Sequence, residues 1–417
     1  MNSHPPKLLL YGSLPPPFTG QSAMFVPVVG LFPKEEIYLV NITRFDSTLG
    51  NTVYTMLATC WFFLVCRFKT VYFTPSRSMT GFVKDIPLLM LGRWCNKRMI
   101  AHLHGANFRS FYENSGMLRP LIRYGYGRVD TAIVLLEEMK GEFRDFPQIK
   151  IRVVPNCYDS RFDQPVRGDS SQPMTGDQPN QPFPGEPLRE TSIQFNQPIA
   201  DFPAAERTDA AGKSPLAKSE QVLYLSALMH SKGILEFLDA AAIVLATHET
   251  ASFVIAGVLW ADDSMGLKEI ANRFHTRLQA LQERFAGRIG YRGLVKGADK
   301  ITLLNGSSIF VFPSWHPSEA LPVSILEAMR TGNAIIATRH NFLPVLVRPE
   351  NGLLVEPRSG QAIADAILSL SGNREKLCEI QEYNVRHAIE NYSLEKCRKN
   401  MLEILKPELY SKEVPKN

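Results

Sequence analysis

The stretch Pro313–Ala334, PSWHPSEALPVSILEAMRTGNA, sets two glutamates eight residues apart. Glu319 falls in a loop, and Glu327 interrupts an apolar helical run, VSILEAM. A buried carboxylate is costly unless it is paired or hydrogen-bonded, so the pattern asks what the two groups hold. The run before them, IFVFP (Ile309 to Pro313), reads as a strand, which puts PSWHPSEAL in the loop beyond its carboxyl end. Pro322 lies near the start of the next helix and Gly332 just past its end, both normal punctuation. Helix starts bind anions through free N–H groups. Here the donors are the N–H groups of Val323 and Ser324, with the Ser324 hydroxyl beside them. A ligand that alternates hydroxyls and phosphates, such as a nucleotide sugar, matches carboxylates flanking an anion site. The spacing fits equally a Glu319 that caps its own helix and a Glu327 that is an ordinary exposed residue.

Working outward, strand-like runs recur on both sides of a compositional break. Before it lie KLLLY (Lys7 to Tyr11), EIYLVNI (Glu36 to Ile42), KTVYFT (Lys69 to Thr74), RMIAHLH (Arg98 to His104), TAIVLL (Thr131 to Leu136) and RVVPN (Arg152 to Asn156). After it lie QVLYLS (Gln221 to Ser226), SFVIAG (Ser252 to Gly257), RIGYRG (Arg288 to Gly293), IFVFP, AIIAT (Ala334 to Thr338) and GLLVE (Gly352 to Glu356). Helix-length segments separate most of these runs, and such alternation predicts parallel sheets covered on both faces. The fold class is therefore α/β: two Rossmann-like doubly wound domains facing a cleft. The expected boundaries are 1–160 for an acceptor-side domain, 161–220 for a Pro/Gln-rich mobile insertion or linker, 221–390 for a nucleotide-sugar-binding domain, and 391–417 for a helix returning to the first domain. Ligands of open parallel sheets bind beyond the carboxyl ends of the strands.

The chain has 417 residues, 45% of them hydrophobic, and a net charge of +5. That balance suits an anionic ligand or an anionic membrane surface. No dense basic run with interleaved aromatics points to nucleic acid. The six cysteines form no metal-ligand spacing and read as reduced cytosolic thiols. MNSHPPKLLLYGS lacks the basic and apolar regions of a secretion signal. VYTMLATCWFFLVC, Val53 to Cys66, is shorter than the roughly 20 residues of a spanning helix. It reads as a buried core helix, with a segment touching a membrane interface as the alternative.

The run FPSWHPSEALPVSILEAMRTGNAIIATRHNFLPVLVRPENGLLVEP resembles the signature of family 4 glycosyltransferases, which have the GT-B fold. LYGSLPPPFTGQSAM resembles that family's first Gly-rich loop, AHLHGANFRSFY its HxHG segment, and LSALMHSKGILEFLDA its Lys-Gly loop. The resemblance implies retaining transfer of a sugar from a nucleotide-sugar donor, with no cofactor and no bound metal. It implies that Glu327 binds the ribose and that Glu319 contacts the donor sugar. By the same resemblance Lys232 neutralises the diphosphate and Gly20 lets backbone approach it. The turn at Gly293 and Leu294 meets the base, and His104 stands beside the reacting sugar. The catalytic candidates are thus His104 and Glu319. The donor-binding candidates are Gly20, Lys232, Gly293, Leu294, Val323, Ser324 and Glu327.

The chain departs from the family frame at three places. Ser226-Ala227-Leu228 lacks an arginine that helps hold the diphosphate, Gln21 follows Gly20 where a second glycine is common, and Cys157 takes the place of a turn glycine. The implied acceptor is an oligosaccharide or a lipid-linked glycan in cell-surface polysaccharide or lipopolysaccharide synthesis. The implied location is the cytoplasm, with peripheral contact at the inner face of a membrane left open. A binding or scaffolding protein with a degenerate donor site, and an epimerase-like enzyme acting on nucleotide sugars, are the alternatives.

Overall fold

A computed structural model describes residues 7–16, 19–164 and 220–407. The Pro/Gln-rich segment singled out above lies almost wholly outside the described residues. The first domain holds β1 (Lys7–Gly12), β2 (Ile37–Asn41), β3 (Phe68–Phe73), β4 (Arg98–His102), β5 (Thr131–Val134) and β6 (Lys150–Val153). They form one parallel sheet in the order β2-β1-β3-β4-β5-β6. The second domain holds β7 (Gln221–Leu225), β8 (Ser252–Ala256), β9 (Ile289–Tyr291), β10 (Ile309–Phe312), β11 (Ala334–Thr338) and β12 (Gly352–Val355). Its parallel order is β12-β11-β10-β7-β8-β9.

The strands of the described residues fall close to the runs read from the sequence. Strands covered by helices on both faces are apolar throughout, and LLLY, FVIA, IFVF and AIIA are buried over their whole length. The largest shift is at β6, which begins at Lys150, two residues ahead of the expected RVVPN run.

The strand orders decide where ligands can bind. Each sheet winds outward in both directions from its first strand. The reversal lies between β1 and β3 in one domain and between β7 and β10 in the other. A crevice opens beyond the carboxyl ends of the strands at such a point. The four loops to follow are therefore those after β1, β3, β7 and β10.

Two crossings tie the domains together. The long helix Arg374–Tyr392 packs on the helix Val323–Arg330 of the second domain. The chain then restarts at Ser393, whose side chain caps the helix Leu394–Leu405. Met401 and Leu405 of that helix complete a core cluster with Leu8, Leu10, Phe25 and Val28 of the first domain, and Arg98 donates to the Ile404 carbonyl at 2.7 Å. The outgoing crossing lies against the returning one, where Tyr158 N–H donates to the Tyr392 carbonyl at 3.1 Å.

One expectation is overturned. Val53 to Cys66 is not a core helix. The helix runs Thr48–Val65, and its fully buried residues are Thr55 and Thr59, whereas Leu57, Trp61 and Leu64 are exposed. Apolar composition alone does not say which flank meets the protein; here the small hydroxyl flank fits against the neighbouring helix and sheet.

The turn after β7 shows how tightly the second crevice is built. Gly233 has φ +76°, and a Cβ there would press into the Pro313 carbonyl at the end of the β10 run. Left-handed backbone costs an L-residue about 1–2 kcal/mol before any clash. Gly233→Ala is therefore expected to lower stability by about 2 kcal/mol or more, read as a lower urea midpoint with unchanged slope.

Candidate functional site

The loop after β10 carries Glu319, and it is 6% exposed. Two groups hold its carboxylate. Ser314 Oγ donates to Oε1 at 2.9 Å, and Lys232 Nζ forms an ion pair with the same oxygen. Lys232 reaches it from the short turn after β7, so the pair bridges the two strands at the reversal point. Several bonds fix that turn. Ser231 N–H donates to Asp262 at 2.7 Å, Trp315 N–H donates to the Ser231 carbonyl at 2.8 Å, and Tyr224 Oη donates to the Lys232 carbonyl at 3.3 Å. Close approach of Gly233 to Pro313 brings lysine and glutamate within reach of each other.

Glu327 lies on the buried side of the helix Val323–Arg330 and is 4% exposed. Lys300 Nζ, from the helix Gly297–Gly306, sits 2.5 Å from its Oε2. Burial pushes the Glu327 carboxyl above the ordinary range, and Lys300 opposes the shift. Each of the two carboxylates thus owns a lysine. The sequence did not single out Lys300. In KGADKITLL it looks like any helix-surface lysine, and only the packing of two helices turns it inward.

Pro322 caps the helix without a side-chain acceptor, so no side chain caps the first N–H groups, those of Val323 and Ser324. Both residues are half-buried at its mouth. Gly293 follows β9 with φ +62°, where a Cβ would meet nothing, and Leu294 beside it is 54% exposed. Gly293 receives the Gly257 N–H on its carbonyl at 2.8 Å, which sets the turn on the edge of the same crevice.

The first domain presents its own reversal point opposite. Gly20 opens the helix Gly20–Val29, which is capped reciprocally by Thr19 and Ser22. A Cβ at Gly20 would meet nothing within 4 Å, so no protein atom requires glycine there. Gln21 Nε2 donates to Thr74 Oγ1 at 2.9 Å, linking the loops after β1 and β3. Together with Pro75, Ser76, Arg77, Lys84 and Asn107 of this domain and Ser318 of the other, they line a cleft of about 340 Å³.

His104 follows β4, and its ring lies 3.9 Å from that of His102. Enclosure pushes the His104 imidazole down to about 3, with Arg77 adding to the effect, so the ring is neutral at physiological pH. Arg77 also escapes a sequence reading. Its Nη1 donates to the Ala106 carbonyl at 3.1 Å, and its charge acts on Glu142 and Glu319. A Cβ at Gly105 would collide with Arg77 and with the Ser318 carbonyl, which is why the backbone after His104 can lie against the Glu319 loop. Ala106 N–H donates to Ser318 O at 3.3 Å and Asn156 Nδ2 to Leu321 O at 2.7 Å. The structure thereby pairs Lys232 with Glu319, sets the backbone after His104 against the Glu319 loop, and places Val323 and Ser324 at the start of the helix that carries Glu327 one turn deeper; of that loop, Ser318 lines the cleft.

Residues 206–387 match the family model described as "Glycosyl transferases group 1". A curated D-inositol 3-phosphate glycosyltransferase of Corynebacterium urealyticum is 30% identical over 105 residues, 25% of this chain and 24% of that protein. The match therefore spans about a quarter of that relative's length. Among solved structures, HepE of Anabaena in complex with UDP superposes with a TM-score of 0.65 at 13% identity, covering 96% of this chain and 100% of that one. Sucrose-phosphate synthase of Thermosynechococcus elongatus gives 0.66 at 13% identity, covering 98% and 100%. A glycosyltransferase of Rickettsia africae gives 0.59 at 18% identity, covering 99% and 100%.

The two ion pairs make a separable prediction. Lys300→Ala leaves a buried carboxylate unpaired and is expected to cost about 3 kcal/mol at neutral pH. Because the carboxyl titrates above its unfolded value, the loss shrinks as pH falls and Glu327 takes up a proton. Glu327→Gln removes the buried charge instead, and Lys300, partly exposed, can turn to water. Its melting temperature at pH 7.5 is expected to match or exceed the parent's, which thermal unfolding of both variants from pH 5 to 8 checks.

Residues 206–387 are thus similar to the glycosyl transferases group 1 family, and the chain as a whole carries the two-domain GT-B fold.

Proposed function

We propose that this protein transfers a sugar from a nucleotide-sugar donor to a glycan or lipid-linked acceptor, with retention of configuration. The observation that carries the reading is the pairing of each buried carboxylate with a lysine, beside uncapped helix N–H groups, at the reversal point of the second sheet. Buried carboxylates held by few groups, Lys300 for Glu327 and Lys232 with Ser314 for Glu319, are what a polyhydroxylated, anionic ligand can exchange with. HepE, similar in fold, binds UDP in its crystal structure, and the family-4 resemblance supplies the retaining outcome.

In this reading Glu327 accepts from the ribose diol and Glu319 from the donor sugar. Leu294, on its left-handed turn, lies under the base. The diphosphate sits at the start of the helix Val323–Arg330. As the glycosidic bond breaks, charge grows on the leaving diphosphate. Lys232 and the N–H groups of Val323 and Ser324 receive it, and preorganised donors of this kind supply the largest share of such catalysis. No metal is called for. Both carboxylates belong to the donor half, so the two-carboxylate arrangement of glycosidases is not assigned. Neutral His104, across the cleft, offers a hydrogen bond to the transferred sugar.

The missing arginine before Lys232 has a counterpart in space. Arg77 approaches the Glu319 loop from the opposite domain, and a guanidinium keeps its charge when enclosed. A second cation thus faces the donor end of the cleft. The acceptor is read as a cell-surface glycan precursor, made at the cytoplasmic side of a membrane.

The test is a titration of UDP, GDP and ADP and their sugars against the purified protein, by calorimetry and thermal shift, with transfer and hydrolysis followed by mass spectrometry. Glu327→Ala is expected to weaken the binding nucleotide by about ten- to a hundredfold. Lys232→Ala is expected to weaken the diphosphate much more than its nucleoside. Equal loss on both, or no nucleotide binding by the parent, overturns the assignment.

A further inference from the structure

The helix Thr48–Val65 is apolar on both sides, with Ala58, Phe62 and Phe63 packed partly buried against the core. Its buried residues are the hydroxyl-bearing Thr55 and Thr59, and its exposed side is built from Leu49, Val53, Leu57, Trp61 and Leu64. Leu64 is 84% exposed and Leu49 73%. At 100° per residue the exposed set lies opposite the threonines, so the apolar side faces outward over the full length of the helix. The segment holds no charged residue, and contiguous apolar surface of this extent marks an interaction site. The next helix, Met79–Trp94, packs beside it and adds Trp94, 69% exposed.

Charge says what covers this face. Residues 43–128 hold twelve lysines and arginines against three acidic residues, an excess larger than the whole chain's net +5. Both helices are crossovers between parallel strands, so both run against the sheet and end at the same edge. Arg67, Lys69 and Arg93 cluster there with Trp61, Leu64 and Trp94. Apolar bodies with tryptophans, rimmed by arginine and lysine, suit a boundary of acyl chains and anionic headgroups. A second copy of this chain suits it poorly, because two such faces would bring like charges together.

We propose that this face lies on an anionic lipid bilayer, with the helix Thr48–Val65 seated along the surface rather than across it. The helix is long and apolar enough to span by length and composition. Yet its ends join β2 and β3, both hydrogen-bonded to β1 in one sheet, so it cannot leave the plane of that sheet without dismantling it. It sits in the interface as an amphipathic anchor does. The same face runs up to the cleft. Ile42, Gly81 and Lys84 line the cleft, while Met79 and Val83 stand exposed on the outer side of the helix that carries Gly81 and Lys84. Resting on the glycosyltransferase reading, this places a lipid-linked acceptor's sugar at the cleft mouth while its tail stays in the bilayer.

The test is flotation of the full chain with vesicles of phosphatidylcholine alone and of phosphatidylcholine with phosphatidylglycerol, without nucleotide, at low and high salt. The parent is expected to float with the anionic vesicles. Leu57→Gln/Trp61→Gln is expected to reduce the bound fraction at least about tenfold, and Arg67→Glu/Lys69→Glu to remove the preference for anionic lipid. Circular dichroism and nucleotide titration of the same variants are expected to match the parent, which keeps this test separate from that of donor binding. A parent that does not float, or floats equally well after Leu57→Gln/Trp61→Gln, overturns the proposal. So does a dimer in light scattering that dissociates with those substitutions, which would assign the face to a second copy.

Discussion

The buried pairing of Glu327 with Lys300, and of Glu319 with Lys232, is the constraint to which the second domain is built. A carboxylate taken out of water needs a cation close by, and each of these has one on a different element. To bring the lysines in, the chain uses a left-handed glycine at 233 pressed on the β10 run, a helix at Gly297–Gly306 that carries Lys300, and a proline-capped helix that carries Glu327. Such pairs seldom add net stability over apolar packing. Their presence in a well-packed core therefore speaks for a ligand rather than for the fold.

The first domain contributes by standing still. Its crevice is held against the Glu319 loop by Ala106 on Ser318 and Asn156 on Leu321, and the returning helix Leu394–Leu405 closes the circuit on the far side. His104 is consequently enclosed and neutral, next to an arginine that keeps protons off it. A neutral imidazole donates and accepts hydrogen bonds without adding charge, which suits the role proposed for it beside the transferred sugar.

Much of this was legible in the amino acids. Parallel strands covered on both faces must be apolar along their length, so FVIA, IFVF and AIIA announce themselves, whereas the edge strand KIRV, with Lys150 and Arg152 exposed, is placed less closely; the loop order then locates the crevice. Glu319 and Glu327 stand out because carboxylates in apolar surroundings are conspicuous. Lys300 and Arg77 do not, because a lysine on a helix and an arginine in a loop are unremarkable until tertiary packing turns them inward. The helix Thr48–Val65 misleads for a related reason. Apolar composition signals burial, but by protein or by lipid is decided by which flank carries the threonines, and a fourteen-residue window read for hydropathy does not ask that question.

The resting pairs also set how the site can respond to a donor. In the proposed reading, a diphosphate at the helix start competes with Glu319 for Lys232, and a ribose deeper in the site competes with Lys300 for Glu327. Lysines already in place need no reorganisation when charge develops on the leaving group, and that is where preorganised cations act most strongly. In the proposed reading, ion pairs that add little to stability are therefore charges already positioned for the donor.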